Sequence, residues 1–444
     1  MKLVLERLYS SIDSPPVPMI SPMYWEQQVE YAALTDIGFR RTNNQDSCAV
    51  LVAPDRESYE SKGHIFVVAD GMGGHAVGEL ASRMAADLIP HTFVKSLAET
   101  VPQALHDALS EANSQIFHRA LQNQDFFSMG TTGTALVLSP AGAYAGHVGD
   151  SRLYRVRSGL IEQLTFDHSV QWELTRNSKQ PIDPAVMMEY KNVITRSLGP
   201  HASVQIDLEG PATIHPNDVY ILCSDGLSGL VSDEEIGMVC AELPPPEACQ
   251  MLVDLANLRG GADNITVVVV TVGDAPPGFP PLPEAAEVAN VPKIQPGWGW
   301  FIALCGHVGL FCVAIMMIAF ERVVEGLLVL GLVLMISGAL FVAWMRLFHD
   351  RKPQEPFNVR TGKPYRTSSS SFNPRFLTQM AALESILKQT ADEAGWGIDW
   401  ESYNESMKQA NKAWELHAAN ATLHHIANAL RKLLSQLQSK RKRS

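Results

Sequence analysis

The sequence predicts an α+β fold, and three observations carry that prediction. Short apolar, β-branched runs recur between residues 31 and 272, and five of them begin or end at a carboxylate. Stretches with apolar residues at helical spacing lie between those runs. At 444 residues the chain is also long enough for more than one domain.

The run at 65–69 (IFVVA) is apolar throughout, as expected of a strand buried on both faces. It ends at Asp70, and Gly71, Gly73 and Gly74 follow, where backbone can turn tightly and carbonyls lie open. Upstream, residues 31–36 read as a first strand. Arg40, Arg41 and Asp46 come next, ahead of a second apolar run at 48–52. Residues 79–120 read as two helices, with Leu80, Met84 and Leu88 and then Leu105, Leu109 and Ile116 as their stripes. A Gly/Thr-rich segment at 129–137 leads into a strand. Residues 141–156 read as two strands around Gly149-Asp150, and 167–192 as an irregular inserted lobe. The strand at 219–223 ends at Asp225-Gly226, and Ser232 with Glu235 three residues on predicts a capped helix. Asp263 and Asn264 directly precede a β-branched strand.

Asp46, Asp70, Asp150, Asp225 and Asp263 thus each stand at a strand end. Gathered at one rim, such carboxylates repel one another unless cations neutralise them. All-oxygen ligands without His or Cys clusters point to Mg²⁺ or Mn²⁺ and away from Zn²⁺. A nearby guanidinium, from Arg40 or Arg41, has the planar fork that matches phosphate oxygens. The net charge of −12 argues against a nucleic-acid partner. No CxxC pair occurs among the six cysteines, which read as reduced thiols.

The segments GFRRTNNQD, VVADGMGGHAVGE, GTTGTALVL, GHVGDSRLYR, LTFDHS, ITRSLG, CSDGLSGLVSDEEI and GGADNITVVVV resemble, in order, the bacterial form of the metal-dependent Ser/Thr protein phosphatases of type 2C. The resemblance implies a four-layer αββα sandwich of two antiparallel sheets flanked by helices. It also implies two Mn²⁺ or Mg²⁺ ions per site, held by Asp46, Asp70, the Gly71 carbonyl, Asp225 and Asp263. Asp150 matches the position that, with Asp225, takes a weaker third ion. Arg41 matches the phosphate-binding arginine, so Arg41 and Asp70 are the catalytic candidates. The implied reaction is attack of a metal-activated water on phosphorus, with phosphorylated Ser/Thr proteins as substrates and a Ser/Thr kinase system as counterpart. Two positions depart from the family: Gln45 stands where Glu is usual, implying a weaker electrostatic hold on metal, and Met72 stands where eukaryotic members have His. The rivals are a pseudophosphatase scaffold that binds phosphoproteins and a phosphatase for small-molecule or lipid phosphates.

Around this 29–274 phosphatase domain, residues 1–28 read as a flexible leader and 275–297 as a Pro-rich linker. Residues 298–320 and 326–348 are each apolar and about long enough to span a bilayer, predicting a two-helix transmembrane hairpin over 298–348. Flanking Lys293, Arg346, Arg351 and Lys352 place the phosphatase domain and the tail in the cytoplasm, at the cytoplasmic membrane with the lipid bilayer as partner. Residues 349–375 read as a basic, Ser-rich linker and 376–444 as a helical cytoplasmic tail. That tail carries the stripes Leu377, Met380, Leu383 and Leu423, Ile426, Leu430, Leu433. Its stripes need burial against each other, a second copy or the phosphatase domain.

Overall fold

A computed structural model describes residues 28–274 and 359–441, apart from short gaps, and seven single positions between 316 and 337. The helices are α1 (Arg56–Lys62), α2 (Ala76–Lys95), α3 (Val101–Leu121), α4 (Val170–Asn177), α5 (Asp233–Glu242), α6 (Pro245–Leu258), α7 (Pro374–Glu393), α8 (Trp400–Glu415) and α9 (Ala419–Arg441). The strands are β1 (Val29–Asp36), β2 (Asp46–Leu51), β3 (His64–Met72), β4 (Gly130–Thr131), β5 (Gly133–Ser139), β6 (Gly142–Val148), β7 (Arg152–Arg157), β8 (Leu160–Gln163), β9 (Asp207–Ala212), β10 (Val219–Cys223), β11 (Ile265–Val272), β12 (Val359–Arg360) and β13 (Arg366–Ser369).

These strands form two sheets, ordered β1-β11-β10-β7-β8-β13 and β12-β9-β6-β5-β3-β2, with β4 paired to β3. Within them, β11 shows why its sequence is apolar without a break. Val268, Val270 and Val272 face an inter-sheet core with Phe66, Leu136, Tyr220 and Leu222, whereas Ile265, Val267 and Val269 join the cluster on the opposite face. Side chains alternate across a strand, so burial on both faces demands an apolar residue at every position. α2 and α3 cover one sheet and α6 the other, which gives the expected four layers. The predicted cap at Ser232 is a full capping box with Glu235, opening α5.

Part of the expected 349–375 linker forms strands, and the helices after it are packed. β12 adds to β9 in parallel, and β13 adds to β8 in antiparallel register, Arg366 opposite Gln163 through Ser369 opposite Leu160. Sheet edges carry unpaired N–H and C=O groups, and this segment satisfies one edge on each sheet. Among the apolar stripes, Leu423, Ile426, Leu430 and Leu433 are fully buried in the same cluster as α6, together with Tyr403 and Met407 of α8. Of the three possible covers for the tail stripes, two are present: α9 packs on α8 within the tail and on α6 of the phosphatase domain. His424 adds an edge contact, 2.8 Å from Glu247 of α6.

Residues 285–358 form a second compact unit, described only at single helical positions. Among the described residues, no helix is long and apolar enough to cross a membrane. The expected cytoplasmic-membrane placement is corrected on that finding. Hydropathy counts apolar residues, but a span also needs about 20 of them in one helix. The hairpin lies almost wholly outside the described residues, as do the expected leader and the Pro-rich linker.

Candidate active site

The register of β2 against β3 sets Asp46 directly opposite Asp70. Like charges in that relation destabilise a sheet, so this pair has a purpose beyond pairing. Asp70 is fixed from behind: its N–H donates to the Thr132 hydroxyl at 2.8 Å, and its carbonyl accepts from Thr131 Oγ1 and from the Thr132 N–H. Gly71 follows, its N–H donating to the Gln45 carbonyl at 3.0 Å. A Cβ at Gly71 would stand 2.0 Å from the Gly78 carbonyl oxygen, so only glycine fits. From the other sheet, β10 ends ahead of Asp225, and Asp263 precedes β11. Asp150 lies in the connection where β6 of one sheet passes to β7 of the other.

One cavity of about 270 Å³ is lined by Asp70, Asp150, Asp225 and Asp263 together with Arg41, Gln45 and the Gly71 backbone. Asp46 is buried beside this group and accepts a 2.7 Å bond from the Ser224 hydroxyl. Burial, followed by the charges of neighbouring carboxylates, pushes Asp46 up to about 7 and holds Asp70 well above the usual carboxylate range. Burial also pushes Asp150 up to about 8, and Asp225 is raised by the same cause. Asp70 and Asp225 stand close enough to share a hydrogen bond between their carboxyl groups. Arg41 Nη2 donates to Asp263 at 2.7 Å, which holds the guanidinium at the cavity.

These residues fit divalent cations with oxygen ligands. Four carboxylates and a strand-end carbonyl converge, burial disfavours the anions of Asp70, Asp150 and Asp225, and a cation among them removes that penalty. Among the described residues no three acidic, His or Cys side chains are already drawn into a finished ligand group.

The structure therefore brings Arg41, Asp70, Gly71, Asp150, Asp225 and Asp263 to one cavity, with Asp46 behind them. Sequence reading missed the supports. Ser224 bonds Asp46, Thr132 bonds Asp70, and Asn264 accepts the Gln45 N–H at 2.8 Å. Each directly adjoins a strand-end motif, which is the signal that would have found it. Gln45 lines the cavity, and its amide donates to the Gly73 carbonyl at 3.3 Å. Met72 lines it too.

Comparison with known proteins agrees with this geometry. A family profile for protein phosphatase 2C matches residues 40–243. The chain is 36% identical over 241 residues to a putative protein phosphatase 2C-type of Streptococcus pyogenes, spanning 53% of this chain and 94% of the relative. It is similar to the solved Ser/Thr phosphatase Stp1 of Staphylococcus aureus, at 28% identity and a TM-score of 0.50 over 55% of this chain and 95% of that one. It is also similar to the catalytic domain of the Ser/Thr protein phosphatase PstP, solved with two manganese ions, at 34% identity and a TM-score of 0.47 over 55% and 99% of the chains. This chain belongs to the protein phosphatase 2C family. It is a protein phosphatase of the Ser/Thr class. The strands and helices after residue 358 lie outside the matched segment.

Proposed function

We propose that this chain hydrolyses phosphoserine and phosphothreonine in proteins, in opposition to a Ser/Thr kinase, with Asp46, Asp70, Gly71, Asp225 and Asp263 as the holders of two divalent ions. Asp150, with Asp225, is the holder of a weaker third. When bound, the ions neutralise developing charge and acidify water so that it becomes a nucleophile at neutral pH. The residues of the chain do the rest. Arg41, half-exposed and held by Asp263, turns its free N–H edge to the phosphoryl oxygens and orients phosphorus. Thr131 and Thr132 fix Asp70, and Ser224 fixes Asp46, so the carboxylates need little reorganisation when substrate arrives. No buried thiol serves as nucleophile: burial pushes Cys223 and Cys249 up to about 12, which keeps them protonated.

The observation that carries this reading is the convergence of four strand-end aspartates and Arg41 on one cavity. The test is turnover of a phosphothreonine peptide by the full-length chain with and without Mn²⁺. Metal-dependent phosphate release is expected. Absence of release at saturating Mn²⁺, with phosphopeptide still bound, supports the scaffold reading and overturns this one.

A further inference from the structure

A second cavity, of about 570 Å³, lies between α4 and the segment that carries β12 and β13. Its charge is opposite to that of the catalytic cavity. Arg152, Arg176, Arg360 and Arg366 line it, and no carboxylate does among the described residues. Two of the four arginines and one of its aromatic walls, Tyr365, come from the segment after residue 358.

Each guanidinium is stacked. Arg366 lies 4.9 Å from the Trp172 ring centre, with Arg152 over the same ring at 5.8 Å. Arg176 lies 5.2 Å from Phe166, and Arg360 lies 3.8 Å from Tyr365. Stacking holds the planar cation still without using its N–H donors. Because the rings already carry arginines, they are poorly placed to stack a nucleotide base. What the cavity offers is the donor edges of Arg176 and Arg366, which suit carboxylate and phosphate oxygens. The carboxylates that balance these arginines stand behind them. Asp167 takes Arg152 through three bonds of 2.7–3.1 Å, Asp233 lies 3.7 Å from Arg366, and Glu209 lies 3.5 Å from Arg360. Arg366 is half-exposed and Arg176 is exposed, so both retain donors towards solvent.

The two cavities flank one stretch of chain. Arg152 follows the catalytic Asp150 by two residues, and Ser169, which leads into α4, pairs with Ile194 of the catalytic cavity. A polypeptide with its phosphoresidue at the aspartates can therefore run on along α4.

We propose that this arginine cavity binds acidic or phosphorylated residues flanking the target phosphoresidue of a protein substrate, a specificity site that rests on the protein-phosphatase reading above. The test uses the full-length chain and its Arg176→Gln/Arg366→Gln variant. Three substrates are compared with Mn²⁺: p-nitrophenyl phosphate, a phosphothreonine peptide with neutral flanks, and the same peptide with glutamate or phosphoserine flanks. A fluorescein-labelled glutamate-rich peptide without phosphothreonine is titrated by anisotropy against metal-free protein, with inorganic phosphate and ATP as competitors. The expected result is an acidic-flank preference of about tenfold in KM, lost in the variant, with p-nitrophenyl phosphate turnover unchanged. The labelled peptide should bind the wild type and not the variant. Equal KM for both flanks together with no peptide binding overturns the proposal. So does an equal loss on all three substrates, or displacement of the peptide by ATP below the concentration of peptide needed to bind. If the wild type turns over nothing while the peptide still binds, the phosphatase reading fails and the anion site stands.

Discussion

Two cavities, one acidic and one basic, were built in different ways. The acidic one is a property of topology: five carboxylates at the ends of strands that a two-sheet sandwich gathers at one rim. The basic one is a property of addition, closed by strands that arrive some 200 residues after α4. Charges in the first are forced together, and burial raises Asp46, Asp70, Asp150 and Asp225 towards protonation, which a cation relieves. Charges in the second lie over rings, three of the four are paired with a carboxylate, and Arg176 and Arg366 keep donors towards solvent. The difference separates chemistry common to the family from selection that belongs to this chain.

The largest effect expected from breaking the acidic side comes from Asp70→Ala or Asp225→Ala. Each should lower Mn²⁺-dependent turnover by more than about 100-fold, beyond the range typical of outer-shell metal partners. Circular dichroism and the unfolding transition should stay close to wild type, since removing a repelling acid relieves strain. Activity near wild type at saturating Mn²⁺ would remove these residues from the metal centre.

The added side is broken through its core. Leu430 of α9 is 1% exposed in the cluster shared with α6, so Leu430→Ala should cost about 2–5 kcal/mol of stability. Thermal unfolding followed at 222 nm checks this. A single transition moved down by several degrees shows that the phosphatase sandwich and the added helices unfold together. An unchanged main transition would show that the helices are an independent appendage.

How much of this could be read in the sequence follows the same division. Asp46, Asp70, Asp225 and Asp263 were legible because each sits next to an apolar run whose period is unambiguous. The stripes of α7 and α9 were legible as helices, but what covers them was not, because an amphipathic face names no partner. α8 went unread: its buried face is Tyr403, Met407 and Ala410, with serine and alanine among them and too little apolar mass to stand out. β13 was hidden by its composition, Arg366 to Ser369, which reads as linker until the free edge of β8 is known. The apolar segments at 298–348 lie almost wholly outside the described residues. The arginine cavity had no signal at all, because Trp172 and Arg366 meet only in three dimensions.

A smaller effect sharpens the acidic side. Gln45 lines the catalytic cavity and is held by bonds to Gly71, Gly73 and Asn264. Gln45→Glu adds a charge at that wall without altering its length, and should lower the Mn²⁺ concentration for half-maximal activity by several-fold. A Mn²⁺ titration that superimposes on wild type would mean that this side chain does not sense the ions.

The smallest effect lies where the two constructions meet, at Glu209. β12 pairs Arg360 with Glu209 on β9, and the Tyr365 hydroxyl donates to the same carboxylate at 2.7 Å. Burial pushes Glu209 up to about 7, with Asp207 adding to the rise, against the opposing pull of the Tyr365 bond and the Arg360 charge. The folded carboxyl thus holds its proton more tightly than the unfolded one. Its stabilising contribution is fully present below pH 4.5, and is lost as pH rises through about 7. Glu209→Gln keeps an oxygen to accept from Tyr365 but cannot ionise. The melting temperature of the variant relative to wild type should therefore be higher at pH 8 than at pH 5. A difference that is constant across that range would show that Glu209 titrates alike in both states. The seam between sandwich and added strands would then be held by packing, without a buried acid at its centre.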